Sequence, residues 1–187
     1  MISAPAVVTV SPGAVAHLVQ QTGLPASPTV ASSNAISVKA TDAFGNAIPG
    51  TTVSFVATDG GGAVTPTTAA TDGGGIASAS YQLGNIVGTN RAVATAAGFT
   101  GSSVSFSANT VAGAATSAGP KPGTQGQSAP AGTTVANSPA VTVTDAYGNP
   151  LVGVNVTFST ASDGTGQLAV VPTKLCRCRS ACDSLEA

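Results

Sequence analysis

The segment VKATDAFGNAIPGTTVSF, residues 38–55, returns without a gap as VTVTDAYGNPLVGVNVTF, residues 141–158. Asp42 and Asp145, which open DAFGN and DAYGN, stand 103 positions apart. Further upstream, Pro12-Gly13-Ala14 lies opposite Ala112-Gly113-Ala114 at a spacing of 100, so the second copy carries three extra residues before its motif. A period this long predicts tandem domains rather than the short units of a solenoid. The chain has 187 residues, room for one large domain or two of about 100 residues each.

Within a copy the apolar residues alternate. Ile36, Val38 and Ala40 alternate with Ser37, Lys39 and Thr41, and Val53, Phe55 and Ala57 with Ser54, Val56 and Thr58. Ala77, Ala79, Tyr81 and Leu83 repeat the pattern, as do Val104, Phe106 and Ala108. A period of two is the signature of strands with one packed and one wet face. Turn signals (FGN, DGGG, LGN) divide these runs at intervals suited to a β-sandwich. The 23 glycines and the many Ser, Thr and Val residues disfavour helix. The expected fold is all-β, sandwiches in tandem.

The copies are unequal. One complete domain is expected over residues 14–110, preceded at 1–13 by the last strand of an earlier repeat or a linker. A partial second domain runs over 111–173. The counterpart of TDGGGIASASYQLG, residues 71–84, should begin at Lys174, where the chain instead reads KLCRCRSACDSLEA. All three cysteines (Cys176, Cys178, Cys182) and three of the six basic residues fall in this tail, 174–187. It reads as an unrelated linker, vector or frameshifted sequence. Its spacing lacks the paired C-x2-C pattern and a fourth ligand for zinc.

These words resemble the bacterial immunoglobulin-like repeats of invasin- and intimin-type surface adhesins. VTVTDAYGNPLVGVNVTF, TDGGGIASASYQLG and FSANTVAGAATS carry the resemblance, which covers residues 14–173. It implies a sandwich of about seven strands, stacked in arrays that project from a bacterial surface as stalks. It implies neighbouring repeats as partners, with any host-cell protein, matrix protein or glycan bound through other domains. No adhesive residue carries over. The Cys pair and Trp of antibody domains are missing from the body.

Candidate chemistry is sparse. Calcium takes six to eight oxygens, and the sequence offers it only Asp42 with Asn46 and Asp145 with Asn149. The stronger reading is a turn, in which a short Asp accepts backbone N–H bonds, Gly or Asn adopts a left-handed conformation, and the aromatic caps the core edge. DGGG at 59–62 and 72–75 lacks the Lys-Ser/Thr of a phosphate loop and precedes strands, so both copies read as turns. Asp59, Asp72 and Asp163 show no spacing that demands a cation. His17 is the sole histidine, expected at a polar surface position of the first strand, and no GxSxG elbow exists. The body has no Glu to pair with its five Asp for glycoside hydrolysis. The sequon Asn155-Val156-Thr157 falls inside an expected strand.

A net charge of −1 gives no footprint for nucleic acid. No run approaches the roughly 20 apolar residues of a membrane span, and residues 1–15 lack the basic start and apolar core of a signal peptide. The expectation is a non-enzymatic, cofactor-free stalk or spacer of a cell-surface or secreted protein, with its export signal outside this sequence. The alternative is an accessory carbohydrate- or calcium-binding module of a secreted enzyme.

Overall fold

A computed structural model describes residues 11–99, 101 and 103–158. Most of the stretch 1–13, expected as the last strand of an earlier repeat or a linker, lies outside the described residues, as do Asp163 and the cysteine tail. Among those described there is no helix, and hence none long and apolar enough to cross a membrane. The chain divides into two compact units, Met1–Val111 and Ala112–Ala187.

The described residues of the first unit form eight strands: β1 (His17–Thr22), β2 (Ser33–Thr41), β3 (Thr52–Asp59), β4 (Ala63–Thr65), β5 (Thr68–Ala70), β6 (Ile76–Gln82), β7 (Thr89–Ala96) and β8 (Val104–Asn109). They form two four-stranded antiparallel sheets, ordered β1-β2-β6-β4 and β5-β3-β7-β8. The chain changes sheet between β4 and β5. One apolar core draws on both sheets, as in face-to-face sandwiches.

The apolar positions of the alternating runs point inward, but Ser37, expected on the wet face of β2, is buried as well. Ile36, Val38, Ala40, Val53, Phe55, Ala77, Ala79, Tyr81, Leu83, Phe106 and Ala108 are buried, while Ala57 and Val104 are partly buried against the same core. The register explains how so alanine-rich a chain fills its interior. Ala94 sits across from Phe55, Ala92 across from Phe106, Ala96 across from Val53, and Ala79 across from Ile36. Large and small residues face each other across neighbouring strands, which lets a few large side chains fill the layer.

Strand β7, in the centre of its sheet, is absent from the alternation read in the sequence. Its inward residues are Asn90, Ala92, Ala94 and Ala96, and Val93 between them is only partly buried. Thr89, Arg91 and Thr95 face outward, but Val93 among them breaks the pattern, and inward alanines give it little hydropathy.

The second unit repeats the beginning of the first. β9 (Ser117–Pro120) pairs antiparallel with β10 (Val141–Thr144). Ser117 faces Thr144 as His17 faces Thr41. These pairs reproduce the spacings of 100 and 103, so the three extra residues lie between β9 and β10. The bridge between Thr41 and Ala47 recurs between Thr144 and Pro150.

The match ends beyond the motif. By the spacing of 103, β3 corresponds to residues 155–162, of which 155–158 are described and form no strand, so the described sequon Asn155-Val156-Thr157 is not in one. Val154, Val156 and Phe158 still alternate in partial burial with exposed Asn155 and Thr157. In the first unit the same alternation lies in β3 between β5 and β7, which take its hydrogen bonds.

Candidate functional site

The repeated motif builds the same carboxylate hub in each unit. In DAFGN, the N–H groups of Phe44 and Asn46 donate to Asp42 Oδ1, both at 2.9 Å. The Asn46 side-chain amide (3.0 Å) and the Gly13 N–H (3.1 Å) donate to Asp42 Oδ2. In DAYGN, Tyr147 and Asn149 N–H donate to Asp145 Oδ1 at 2.9 Å, and Gly113 N–H to Oδ2 at 3.0 Å. The Asn149 amide reaches both oxygens, at 3.2 and 2.9 Å.

The backbone closes the same loop around both. Asp42 N–H donates to Asn46 C=O and Gly45 N–H to Asp42 C=O, with the Asp145 equivalents at the same distances, 3.0 and 3.1 Å. Gly45 (φ 85°) and Gly148 (φ 84°) take the left-handed conformation that closes the turn.

This geometry decides what the carboxylates can do. Each is almost fully buried and receives four N–H groups. A cation ligand or general base needs a free lone pair, whereas these oxygens already face donors that a cation would repel. The Asn46 side chain and the Gly13 N–H are the main influences holding the Asp42 carboxyl at about 2, below its ordinary 3.8. Burial pushes the Asp145 carboxyl up, but Asn149, Gly113 and Tyr147 outweigh it and bring it to about 2 as well. Among the described residues no three His, Cys, Asp or Glu side chains gather as a metal site would require.

The motif's aromatics do not cap the core edge as expected. Phe44 is 91% exposed and Tyr147 53%. The turn places position three on its outer side, and the Asp instead fills the inside of the loop. Tyr81, on the inward face of β6, is wholly buried. Its hydroxyl donates to the carbonyls of Arg91 (3.1 Å) and Asp59 (3.3 Å). Desolvation raises its pKa.

The two DGGG strings part company. Asp72 Oδ1 accepts from Gly74 N–H (2.8 Å) and Ile76 N–H (2.9 Å), and Gly75 takes φ 77°. This is the Asp42 turn without its Asn and without a second segment on Oδ2. Asp59, by contrast, ends β3, and left-handed Gly60 and Gly61 follow it. Gly60 lies so close to Asn90 that a Cβ there would overlap the Asn90 side chain and Cα.

Three buried polar residues went unnoticed in the sequence. Asn90 Oδ1 accepts from Gly84 N–H (2.8 Å). Thr110 Oγ1 accepts from Gly88 N–H (3.1 Å) and lies within bonding distance of the carbonyls of Gly88 (3.1 Å) and Ile86 (3.2 Å). Thr71 Oγ1 donates to Ile48 C=O (2.6 Å) and accepts from Thr51 N–H (2.9 Å). All three tie loops to strand ends. His17 is exposed at the start of β1.

No protein-family profile matches the chain, and no curated protein sequence does. Solved structures do. The chain is similar to FdeC, an Escherichia coli adhesin, at 23% identity and TM-score 0.56 over 84% of this chain and 52% of that one. The D00-D0 domain of intimin matches at 20% identity and TM-score 0.41, covering 54% of this chain and 48% of that one. The surface-layer protein SbsC, domains 4–9, matches at 18% and 0.42, over 79% and 22%. The chain thus spans about half the length of the first two. The likeness to FdeC shows the fold: a bacterial immunoglobulin-like sandwich, as the sequence resemblance implied.

Proposed function

We propose, from an immunoglobulin-like sandwich shared with an adhesin, that this chain is a piece of a tandem array serving as a non-catalytic spacer on a bacterial surface or in a secreted protein. The observation that carries this reading is the duplicated hub: Gly13–Asp42 and Gly113–Asp145 repeat donor for donor within one chain. A unit built twice around the same internal bonds is a structural module, since both copies commit their carboxylates to holding backbone. Residues 14–110 form its complete copy and 111–173 a partial one. Its partners are neighbouring repeats, and recognition of host proteins or glycans belongs to other domains of the parent protein.

The test has two parts. Sequence flanking the gene for this chain is expected to continue with D-A-aromatic-G-N segments at similar spacing, and their absence would sink the array reading. Purified protein is expected to turn over no ester or glycoside substrate, and enzyme-like rates on either would refute the non-catalytic one.

A further inference from the structure

The carboxylate hub divides its labour between its two oxygens. Oδ1 of Asp42 and of Asp145 takes the N–H groups of its own turn, from positions two and four residues later. Oδ2 takes an N–H from far back in sequence, Gly13 at a separation of 29 and Gly113 at 32. The Asp72 turn shows that the local bonds suffice to close such a loop, because Asp72 has the Oδ1 pair alone. The distant bond therefore adds something the turn does not need.

We propose that Asp42 and Asp145 are linker clips: each fastens the segment that leads into its unit, ahead of the unit's first strand. The chain between the units shows the effect. Val111 is the last residue tied into the first unit, with its N–H to Pro28 C=O and its C=O from Val30 N–H, both at 3.0 Å. Gly113 is tied to Asp145 in the second. Ala112 alone lies between. Without the clip, the next backbone tie of the second unit is Thr116 N–H to Thr144 C=O at 2.9 Å. The loose stretch would then be the four residues 112–115. Its reach rises from about 3.5 Å to about 14 Å, with φ and ψ of three more residues free to turn. In the first unit the same loss leaves residues 13–15 without a backbone tie up to Ala16 N–H on Thr41 C=O, with Val15 still packed against the core. The benefit to a stalk of a short tether rests on the spacer reading; the clip itself is tested without it.

Asp→Asn changes Oδ2 and spares Oδ1. The amide oxygen keeps the role of Oδ1, whereas the NH2 that replaces Oδ2 meets the Gly N–H, and the side-chain NH2 of Asn46 or Asn149, donor to donor. In the full chain, amide hydrogen exchange is expected to find Gly13 and Gly113 protected. Asp42→Asn should speed exchange at Gly13, and Asp145→Asn at Gly113, at least about tenfold, with Phe44, Asn46, Tyr147 and Asn149 amides still protected. Elastase cleavage within 112–115 should rise in Asp145→Asn. Gly13→Pro, which removes the donor and leaves Asp42 untouched, serves where Asp42→Asn disturbs the hairpin; it must raise elastase cleavage after Ala14. Free-peptide exchange at both glycines in the parent chain would overturn the proposal. So would unchanged exchange and cleavage in all the variants.

Discussion

Gly45 and Gly75 close two turns of one design and differ in what surrounds them. Their φ values are 85° and 77°, so an L side chain at either position is strained. That strain is worth about 1–2 kcal/mol. Around Gly45 nothing lies within 4 Å of where a Cβ would stand. At Gly75 the Cβ would come 2.6 Å from the Ala40 carbonyl oxygen, 3.1 Å from Ile48 N and 3.2 Å from Ala47 Cβ. That carbonyl is already occupied, accepting from Ile48 N–H at 3.1 Å, so the backbone of β2 has to move. Overpacking of this kind costs a further ~1–3 kcal/mol. Gly45→Ala is therefore expected to destabilise the first unit by about 1–2 kcal/mol and Gly75→Ala by about 2–5 kcal/mol. In a domain of about 100 residues each kcal/mol lowers Tm by about 4–8 °C, a difference well within reach of thermal melts followed by circular dichroism. Gly45→Asn should be milder than Gly45→Ala, because Asn tolerates the left-handed region. Equal losses for the two alanine variants, or a smaller one at Gly75, would refute the crowding argument.

Asp42 and Asp145, with carboxyls lowered to about 2 from 3.8, contribute stability that is present above pH 4 and lost as pH falls toward 2; in Asp42→Ala the acid limb of a Tm-against-pH curve should flatten. Millimolar calcium should leave Tm unchanged, since a site filled to 100 times its Kd would add about 2.7 kcal/mol; a rise would restore Asp42, Asn46, Asp145 and Asn149 as ligands. Asn90→Ala strands the buried Gly84 N–H and should cost about 1–3 kcal/mol by urea unfolding, and a loss below ~0.5 kcal/mol would show that bond to be dispensable. Limited proteolysis should leave a core near residues 14–110 while 111–173 is degraded, because residues 174–187 do not repeat the β6 sequence that pairs with β2 in the first copy; equal resistance of both halves would contradict this.

Much of the first unit was legible where neighbouring residues differ sharply in hydropathy. Ile36, Val38, Phe55 and Phe106 alternate with Ser, Lys and Thr, so period and facing could be read directly. Strand β7 was not legible, because its inward alanines depend on Phe55 and Phe106 across the ladder to fill the space. The hub was half legible. Asp, Gly and Asn announce a turn, but their spacing does not reveal that Gly13 or Gly113 supplies the last donor. That bond spans 29 or 32 residues and exists only once β1 lies beside β2, or β9 beside β10.

The chain's own letters determined the period, the strand-rich class and the turn chemistry of DAFGN and DAYGN, because these depend on residues a few positions apart. Only the tertiary structure decided what identical letters become. DGGG at 72–75 is an Asp-centred turn, whereas DGGG at 59–62 ends a strand and lies against Asn90. VNVTF at 154–158 carries the alternation of β3 and forms no strand. Local bonds travel with the sequence, but a strand needs a neighbour to accept its hydrogen bonds and a facing layer to bury its side chains.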